Sequence, residues 1–445
     1  MTIGLRRSLL STCAIAGAAA LALSACSPGA QAEPDPDESG ETTTVTFRLW
    51  DENAADAYEK SFDEFTDQNP GIKVDIDVVP WGNYWDRLPQ DISSGTMADI
   101  FWTNTSNYGI YADQDRLIDI GAALGDDHDA WNPSVVDLYT RDGSLWGVPQ
   151  LSDSIALFYN KDLTTAAGVD PSALTWSPDE AADTLLPALQ KLTVDAAGKH
   201  PTEEGFDATD VDVWGFNAQA DLQAIWLDFL AQNGGTFQNG DEYAFDSPEG
   251  VEAFQYLVDL INTYQVAPPA ADTNANGDLS RDLFVQGKLA LFQSGQYSLP
   301  AMADATDFEW AIAPMVAGPQ GRIGVVHGVA ALGNADTPHL EATTAVLAWL
   351  GSAEGQRPLG EQGAAFPAAL DAQDTFTAYW DEQGVDTSAF AEAAAGPTTP
   401  APVGPRSNAG LNAIGEVFPE MFAGRLAVAD ALEQAQQNAN EAIAD

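Results

Sequence analysis

The stretch VTFRLWDENAADAYEKSFDEFTDQNPGIKVDIDV, residues 45–78, decides the fold. Val45, Phe47 and Leu49 alternate with polar residues at the period of a half-buried strand. Ala54, Tyr58, Phe62 and Phe65 then recur at helical spacing, and Pro70-Gly71 stops that helix before Ile72, Val74, Ile76 and Val78 resume the alternation. Strand, helix, strand in this order is the right-handed unit of a mostly parallel sheet. Further along, Tyr84, Leu88 and Ile92 mark another helix, and Ala98-Asp99-Ile100-Phe101-Trp102 a third strand. The order predicts an α/β lobe with helices on both faces of the sheet.

Helix starts are legible elsewhere. Ser177-Pro178-Asp179-Glu180 has an N-cap serine, proline at the first helical position and a capping-box glutamate, which predicts a helix starting there. Ser247-Pro248-Glu249 opens another, with Val251, Phe254, Leu257, Val258 and Ile261 on one apolar stripe, and a last helix spans about 426–443 with Val428, Leu432, Ala435 and Ala439 inward. The chain has 445 residues, more than one core comfortably serves, so two lobes are expected.

Composition narrows the function. The chain is 45% apolar and 9% aromatic, enough to bury a sizeable core, while 67 acidic against 17 basic residues leave a formal charge of −50. Such a surface repels phosphate backbones and anionic lipid, so no nucleic-acid partner is expected. The two cysteines, Cys13 and Cys26, both lie in the leader region, which leaves the body without a disulfide or a thiolate-held metal. Arg6 and Arg7 precede an apolar run from Leu9 to Leu23 that reads as an export signal. Its end, Leu23-Ser24-Ala25-Cys26, resembles the lipobox of bacterial lipoproteins; that resemblance implies cleavage after residue 25 and acyl chains on Cys26 that anchor the chain to the membrane. Residues 26–44, rich in Ser, Pro, Gly, Asp, Glu and Thr, read as a flexible tether.

Several stretches together resemble the extracellular solute-binding proteins of ABC importers, in the large sugar-binding branch that includes the maltodextrin-binding proteins. They are Leu145-Trp146-Gly147-Val148-Pro149-Gln150, Leu157-Phe158-Tyr159-Asn160-Lys161-Asp162-Leu163, the run from Phe284 to Tyr297, and Ala348-Trp349-Leu350 with Ser352-Ala353-Glu354-Gly355-Gln356. The resemblance implies an α/β, two-lobe periplasmic-binding-protein-like fold with an interlobe hinge and a ligand cleft. It places a first lobe at 45–152 plus 314–350 and a second at 153–313 plus 351–445, with crossings near 151–154, 311–315 and 350. It implies a monomer that delivers a saccharide to ABC permease subunits from the extracellular face of the cytoplasmic membrane, without a cofactor.

A sugar ring offers an apolar C–H face and an edge of hydroxyls, so its site needs flat aromatic rings and forked polar groups. Open α/β sheets gather these at the carboxyl ends of their strands. Trp50-Asp51-Glu52 follows the first strand, Trp81, Asn83 and Tyr84 the second, and Trp102-Thr103-Asn104 the third. Trp102, Asp153 and Tyr297 also fall where the family places a stacking ring, a carboxylate and a second ring. For the second lobe Asn217, Trp226, Gly295 and Tyr297 are nominated, and His327-Gly328 and Arg406 complete the candidate set. Trp85 and Trp349, at helical spacing, read as core.

Two rivals remain open. A secreted carbohydrate-active hydrolase would use paired carboxylates, but acids are too abundant here for a pair to be informative, and no Gly-x-Ser-x-Gly elbow, His-Glu-x-x-His motif or Gly-rich phosphate loop occurs. A calcium-dependent module is suggested by Asp272-x-Asn274-x-Asn276-Gly277, although position twelve is Leu283 rather than glutamate. The lipobox makes a direct prediction. Cys26→Ala is expected to lose incorporation of a labelled fatty acid and to move the protein from the membrane fraction to the medium.

Overall fold

The computed structural model describes residues 42–303, 307–404 and 406–444. The export signal, Cys26 and nearly all of the tether lie outside the described residues. The strands that position the site run, in chain order, Thr43–Leu49 (β1), Ile72–Val78 (β2), Ile100–Asn104 (β3), Val148–Asp153 (β4), Ile155–Asn160 (β5), Val211–Phe216 (β6), Leu289–Gly295 (β7), Trp310–Pro314 (β8) and His327–Gly333 (β9). The first sheet has the order β2-β1-β3-β9-β4, and the second the order β8-β5-β7-β6 with the short strand Val194–Asp195 at its edge.

The opening stretch folds as its pattern dictates. β1 and β2 pair in parallel, Thr43 opposite Ile72 through Leu49 opposite Val78, and the helix Glu52–Gln68 (α1) joins them, capped by Asp51 accepting the Ala54 N–H at 3.1 Å. Trp81–Ser94 (α2) leads into β3, parallel on the other side of β1. The inward faces of this sheet and its helices form one core, with Phe47, Tyr58, Phe65 and Trp102 among its fully enclosed rings. Each such side chain stabilises the lobe by about 1.5–3 kcal/mol.

The second lobe has its own core, built on Leu157, Phe216, Phe229 and Leu257. The helix Pro248–Asn262 (α5, after Thr105–Asp113 as α3 and Leu185–Leu192 as α4) is capped by Ser247 and buries Phe254, Leu257, Val258 and Ile261. The helices Ser407–Phe422 (α7, after Ala353–Glu361 as α6) and Val428–Ala444 (α8) pack on it, and α8 buries Val428, Leu432, Ala435 and Ala439 at the expected period.

Three connections join the lobes. Only Ser154 separates β4 from β5, so one extended segment passes from the first sheet into the second. The return differs from the expectation at 311–315. Met315, Val316 and Val325 still pack in the second core, held by Gln232 Nε2 donating to Val316 O and by Asp228 accepting the Val325 N–H, and the chain re-enters the first sheet at His327. The third crossing, expected at 350, comes after residue 370. α6 packs on α1 through Ser61 Oγ, which donates to Gly355 O at 2.7 Å, and Leu359, Ala364 and Ala365 stay in the first core. Phe376, Trp380, Ala389 and Phe390 then cover the far face of the second sheet, and from Ala401 onward the chain packs in the other core of that lobe.

The helix expected at Ser177 starts instead at Leu185. Residues 175–184 close on themselves: the Thr184 and Leu185 N–H groups both donate to Thr175 O at 2.9 Å, and Ser177 Oγ accepts the Asp179 N–H in a local turn. The capping carboxylate is Asp183, which accepts the Leu185 and Leu186 N–H groups at 2.9 and 3.2 Å. Likewise Asn276 Oδ1 accepts the Asp278 N–H in a turn, and among the described residues no group of three His, Cys, Asp or Glu side chains is placed to hold a metal ion. The cap assignment is testable by urea denaturation. Asp183→Ala is expected to cost about 1–2 kcal/mol, whereas Ser177→Ala stays within about 0.5 kcal/mol of wild type.

Candidate functional site

Sheet topology brings one set of strand ends together. β1, β2 and β3 run in parallel, so their carboxyl ends share an edge; β9 is antiparallel to β3, so its first residues lie at that edge, and β4 is antiparallel to β9, so its last residue does too. Trp50, Asp51, Trp81, Asn104, Asp153 and His327 therefore converge. In the second sheet the carboxyl ends of β6 and β7 lie beside the start of β5, where Gly295 faces Ile155. The two edges meet at the hinge, and Asp153 and His327 stand opposite one another in the β4–β9 ladder.

The first-lobe wall is a layered cluster of rings. Trp50 is its centre, with ring centroids 5.1–5.3 Å from Trp81, Tyr84, Trp85 and Trp102. Trp81 is outermost and 50% exposed, whereas Trp102 is 0% exposed and belongs to the core. The expectation that Trp102 lines the cleft is corrected: β3 is a central strand, and Trp50, Tyr58 and Phe47 pack edge-on against the ring, with centroids 5.1, 5.8 and 6.4 Å away. Glu52 is exposed in the first turn of α1, and Asn104 Oδ1 accepts Asn107 Nδ2 at 2.7 Å at the start of α3. Trp85 is half-buried within the ring cluster, and Trp349 is buried with its Nε1 donating to Ser61 Oγ.

Second-lobe nominations divide more sharply. Tyr297 is 40% exposed. Its ring folds over Gly295, with Cδ1 2.7 Å from where a Cβ on Gly295 would stand, so only glycine leaves room for it. Asn217 is not free for a ligand, because its side chain exchanges two hydrogen bonds with the Gln293 backbone at 2.8 and 2.9 Å and ties β6 to β7. Trp226 is a core residue, 3% exposed among Phe237, Phe254 and Phe418. Gly328 is buried in the ladder, its carbonyl accepting Tyr139 Oη and its Cα facing Val135. Arg406 is half-buried at the N-terminus of α7, next to Ser407, whose Oγ donates to Ser106 O of α3 across the lobes at 3.1 Å.

The electrostatics of this region are acidic. Burial pushes the Asp153 carboxyl up to about 7, and the neighbouring Asp51 charge adds to the shift. Burial also raises Asp51, against the pull of its capping hydrogen bonds. The Tyr297 phenol is raised by burial first and then by Asp221 and Asp153, one from each side of the hinge. His327 is held neutral, pushed down to about 3 by burial, and its Nε2 has no hydrogen-bond partner among the described residues.

Sequence reasoning missed Asp221 and Gln223. Asp221 caps a π-helical turn, Leu222–Trp226, by accepting the Gln223 and Ala224 N–H groups at 2.8 Å, and that turn carries the Gln223 backbone up to His327. An aspartate before an apolar run signals a cap whether or not it faces a cleft, so the sequence held no separate sign of it. Two other depressions, about 270 Å³ beside Trp214 and Arg425 and about 330 Å³ beside His128 and Trp131, lie away from these strand ends.

The comparisons agree with this architecture. A family model described as bacterial extracellular solute-binding protein matches residues 51–357. The crystal structure of M. tuberculosis UspC is 48% identical, covers 90% of this chain and 100% of its own, and superposes with a TM-score of 0.73. A maltooligosaccharide ABC transporter solute-binding lipoprotein of Streptococcus pneumoniae (strain ATCC BAA-255 / R6) is 22% identical over 80% of this chain and 79% of that protein. The arabinooligosaccharide-binding protein of Bacillus subtilis (strain 168) is 25% identical over 54% of this chain and 52% of its own length. The chain spans 59% of the curated Brucella abortus (strain 2308) binding protein that it also matches.

Asp153 gives a signed prediction. Its folded pKa of about 7 lies above the ordinary 3.8, so between these values the folded protein binds a proton that the unfolded chain has lost, and stability falls as pH rises through that window. Asp153→Asn removes the penalty. The variant is expected to melt above wild type at pH 8 and close to wild type at pH 4, as read by differential scanning calorimetry.

Proposed function

We infer the function from one premise: the chain belongs to the bacterial extracellular solute-binding protein family. It captures a neutral mono-, di- or oligosaccharide between its lobes and hands it, chemically unchanged, to the transmembrane subunits of an ABC importer. Acyl chains on Cys26 keep it at the outer face of the cytoplasmic membrane. The sugar specificity named for the Bacillus relative, and the sugar, transporter and lipoprotein named for the Streptococcus relative, support this reading.

The observation that carries it is the pair of open rings on opposite lobes, Trp81 and Tyr297, with Asp51, Asp153 and Asp221 at the hinge beside them. Rings stack on the C–H face of a sugar, and carboxylates accept from its hydroxyls. Micromolar capture needs about −8 kcal/mol net, within reach of two stacked rings and several charge-assisted hydrogen bonds. A ligand that touches both walls only when they approach favours the closed arrangement, which couples capture to hinge motion. The acidic hinge disfavours uronates and sugar phosphates.

Isothermal titration with a panel of neutral saccharides, a uronate and a sugar phosphate tests this. At least one neutral saccharide is expected to bind in the micromolar range or tighter and to be recovered intact after denaturation. Trp81→Ala and Tyr297→Ala are each expected to weaken it tenfold or more while melting within a few degrees of wild type. Failure of every neutral saccharide to bind, or full affinity in both variants, sinks the reading.

A further inference from the structure

The ring wall of the first lobe hangs on a helix with few anchors. Of the fourteen residues of α2 only Tyr84 and Leu88 are buried, and its proline N-cap offers no side-chain hydrogen bond. Tyr84 Oη donates to Trp102 O at 2.7 Å and fixes the first half. The second half is fixed by a charge. Arg48 on β1 is 7% exposed and spans two carboxylates: its Nε donates to Asp77 on β2 at 2.7 Å, and its Nη1 to Asp91 on α2 at 2.5 Å. Asp91 completes the stripe Trp81, Tyr84, Leu88, Asp91, spaced three or four residues apart on one face.

We propose that Arg48 is a positioning residue for ligand capture: through Asp91 it sets the tilt and roll of α2, and thereby places Trp81 at the cleft. With the Asp91 end released the helix pivots on Tyr84, three residues or about 4.5 Å along the axis from Trp81, so a tilt of about 10° moves the start of the helix by about 0.8 Å. A gap of about 0.5–1 Å already forfeits a quarter to a half of the attraction of a contact. A guanidinium suits this task because one planar fork can face two carboxylates at once, which a lysine cannot do. Asp77 belongs to the sheet and Asp91 to the helix, so Arg48 registers one against the other. A buried ion pair acts here through geometry more than through net stability.

The affinity part of this proposal rests on the cleft reading above; the positioning part does not. The full-length protein is labelled with 5-fluorotryptophan, and the Trp81 resonance is assigned by Trp81→Phe. Asp91→Asn leaves the Arg48–Asp77 pair in place, so the variant retains a partner for its buried cation. Without ligand, Asp91→Asn is expected to shift or broaden the Trp81 resonance and to speed amide exchange in residues 81–94 about tenfold, while Trp176 and Trp226 in the second lobe do not move. Arg48→Lys is expected to give an intermediate effect, and Asp91→Glu to restore the wild-type signal. With maltotriose as probe, Asp91→Asn is expected to weaken binding at least fivefold, and Trp81→Ala/Asp91→Asn to bind no worse than Trp81→Ala alone. An unchanged Trp81 resonance and unchanged exchange in folded Asp91→Asn overturn the proposal. If maltotriose fails to bind the wild type, a neutral saccharide that binds in the panel above takes its place; if none binds, the sugar reading alone falls, and the two ligand-free measurements still decide.

Discussion

The structure depends on the antiparallel ladder between β4 and β9. These strands carry the first two connections between the lobes, and they lie side by side, with His327 opposite Asp153 and Gly328 opposite Ser152. One residue later, at Ser154, the chain has left the first sheet, and its N–H donates to Gln296 Oε1 of the second lobe at 2.6 Å. Two strands paired at the point of crossing bend together more readily than they shear, because shear breaks their shared hydrogen bonds. The hinge therefore has a direction, and the groups on the ladder's last rungs lie where the walls meet.

That placement explains the chemistry of the rungs. A carboxyl and an imidazole at a crossing between two cores lose water from several sides at once, so Asp153 is pushed up and His327 down by the same cause. Neither shift requires a bound group; both follow from where the ladder ends. The rings obey a related constraint. The cluster at this strand end has a buried and an exposed member, and the succession from Trp102 through Trp50 to Trp81 is a gradient from core to solvent. Within one cluster the depth of each ring decides whether it serves the core or stands open to solvent.

On the second lobe the same division is made by hydrogen bonding. Asn217 has the chemistry of a sugar ligand but uses it on the Gln293 backbone, and Asp228 has the chemistry of an acid but its two oxygens accept the Val325 N–H at 2.9 Å and Gln293 Nε2 at 3.5 Å. Asp221, seven residues before Asp228 on the same segment, caps a turn and still faces Tyr297. A side chain's type therefore did not fix its role; the identity of its neighbours did.

The sequence by itself determined the elements whose signal is local. The alternation of Val45, Phe47 and Leu49, the helical period from Ala54 to Phe65 and the Ser247 cap fix strands and helices because backbone geometry and side-chain spacing act within a few residues. It also located strand ends, and so nominated Trp50, Asp51, Trp81, Asp153 and His327, which the sheet topology gathers at one edge, together with Tyr297 of the second lobe. Tertiary structure alone decided what was non-local: that Trp102 and Trp226 are enclosed, that residues 175–184 fold into a closed loop rather than a helix, and that the crossings come at 326–327 and after 370. Each of these depends on contacts between residues distant in the chain, whose burial no local pattern encodes.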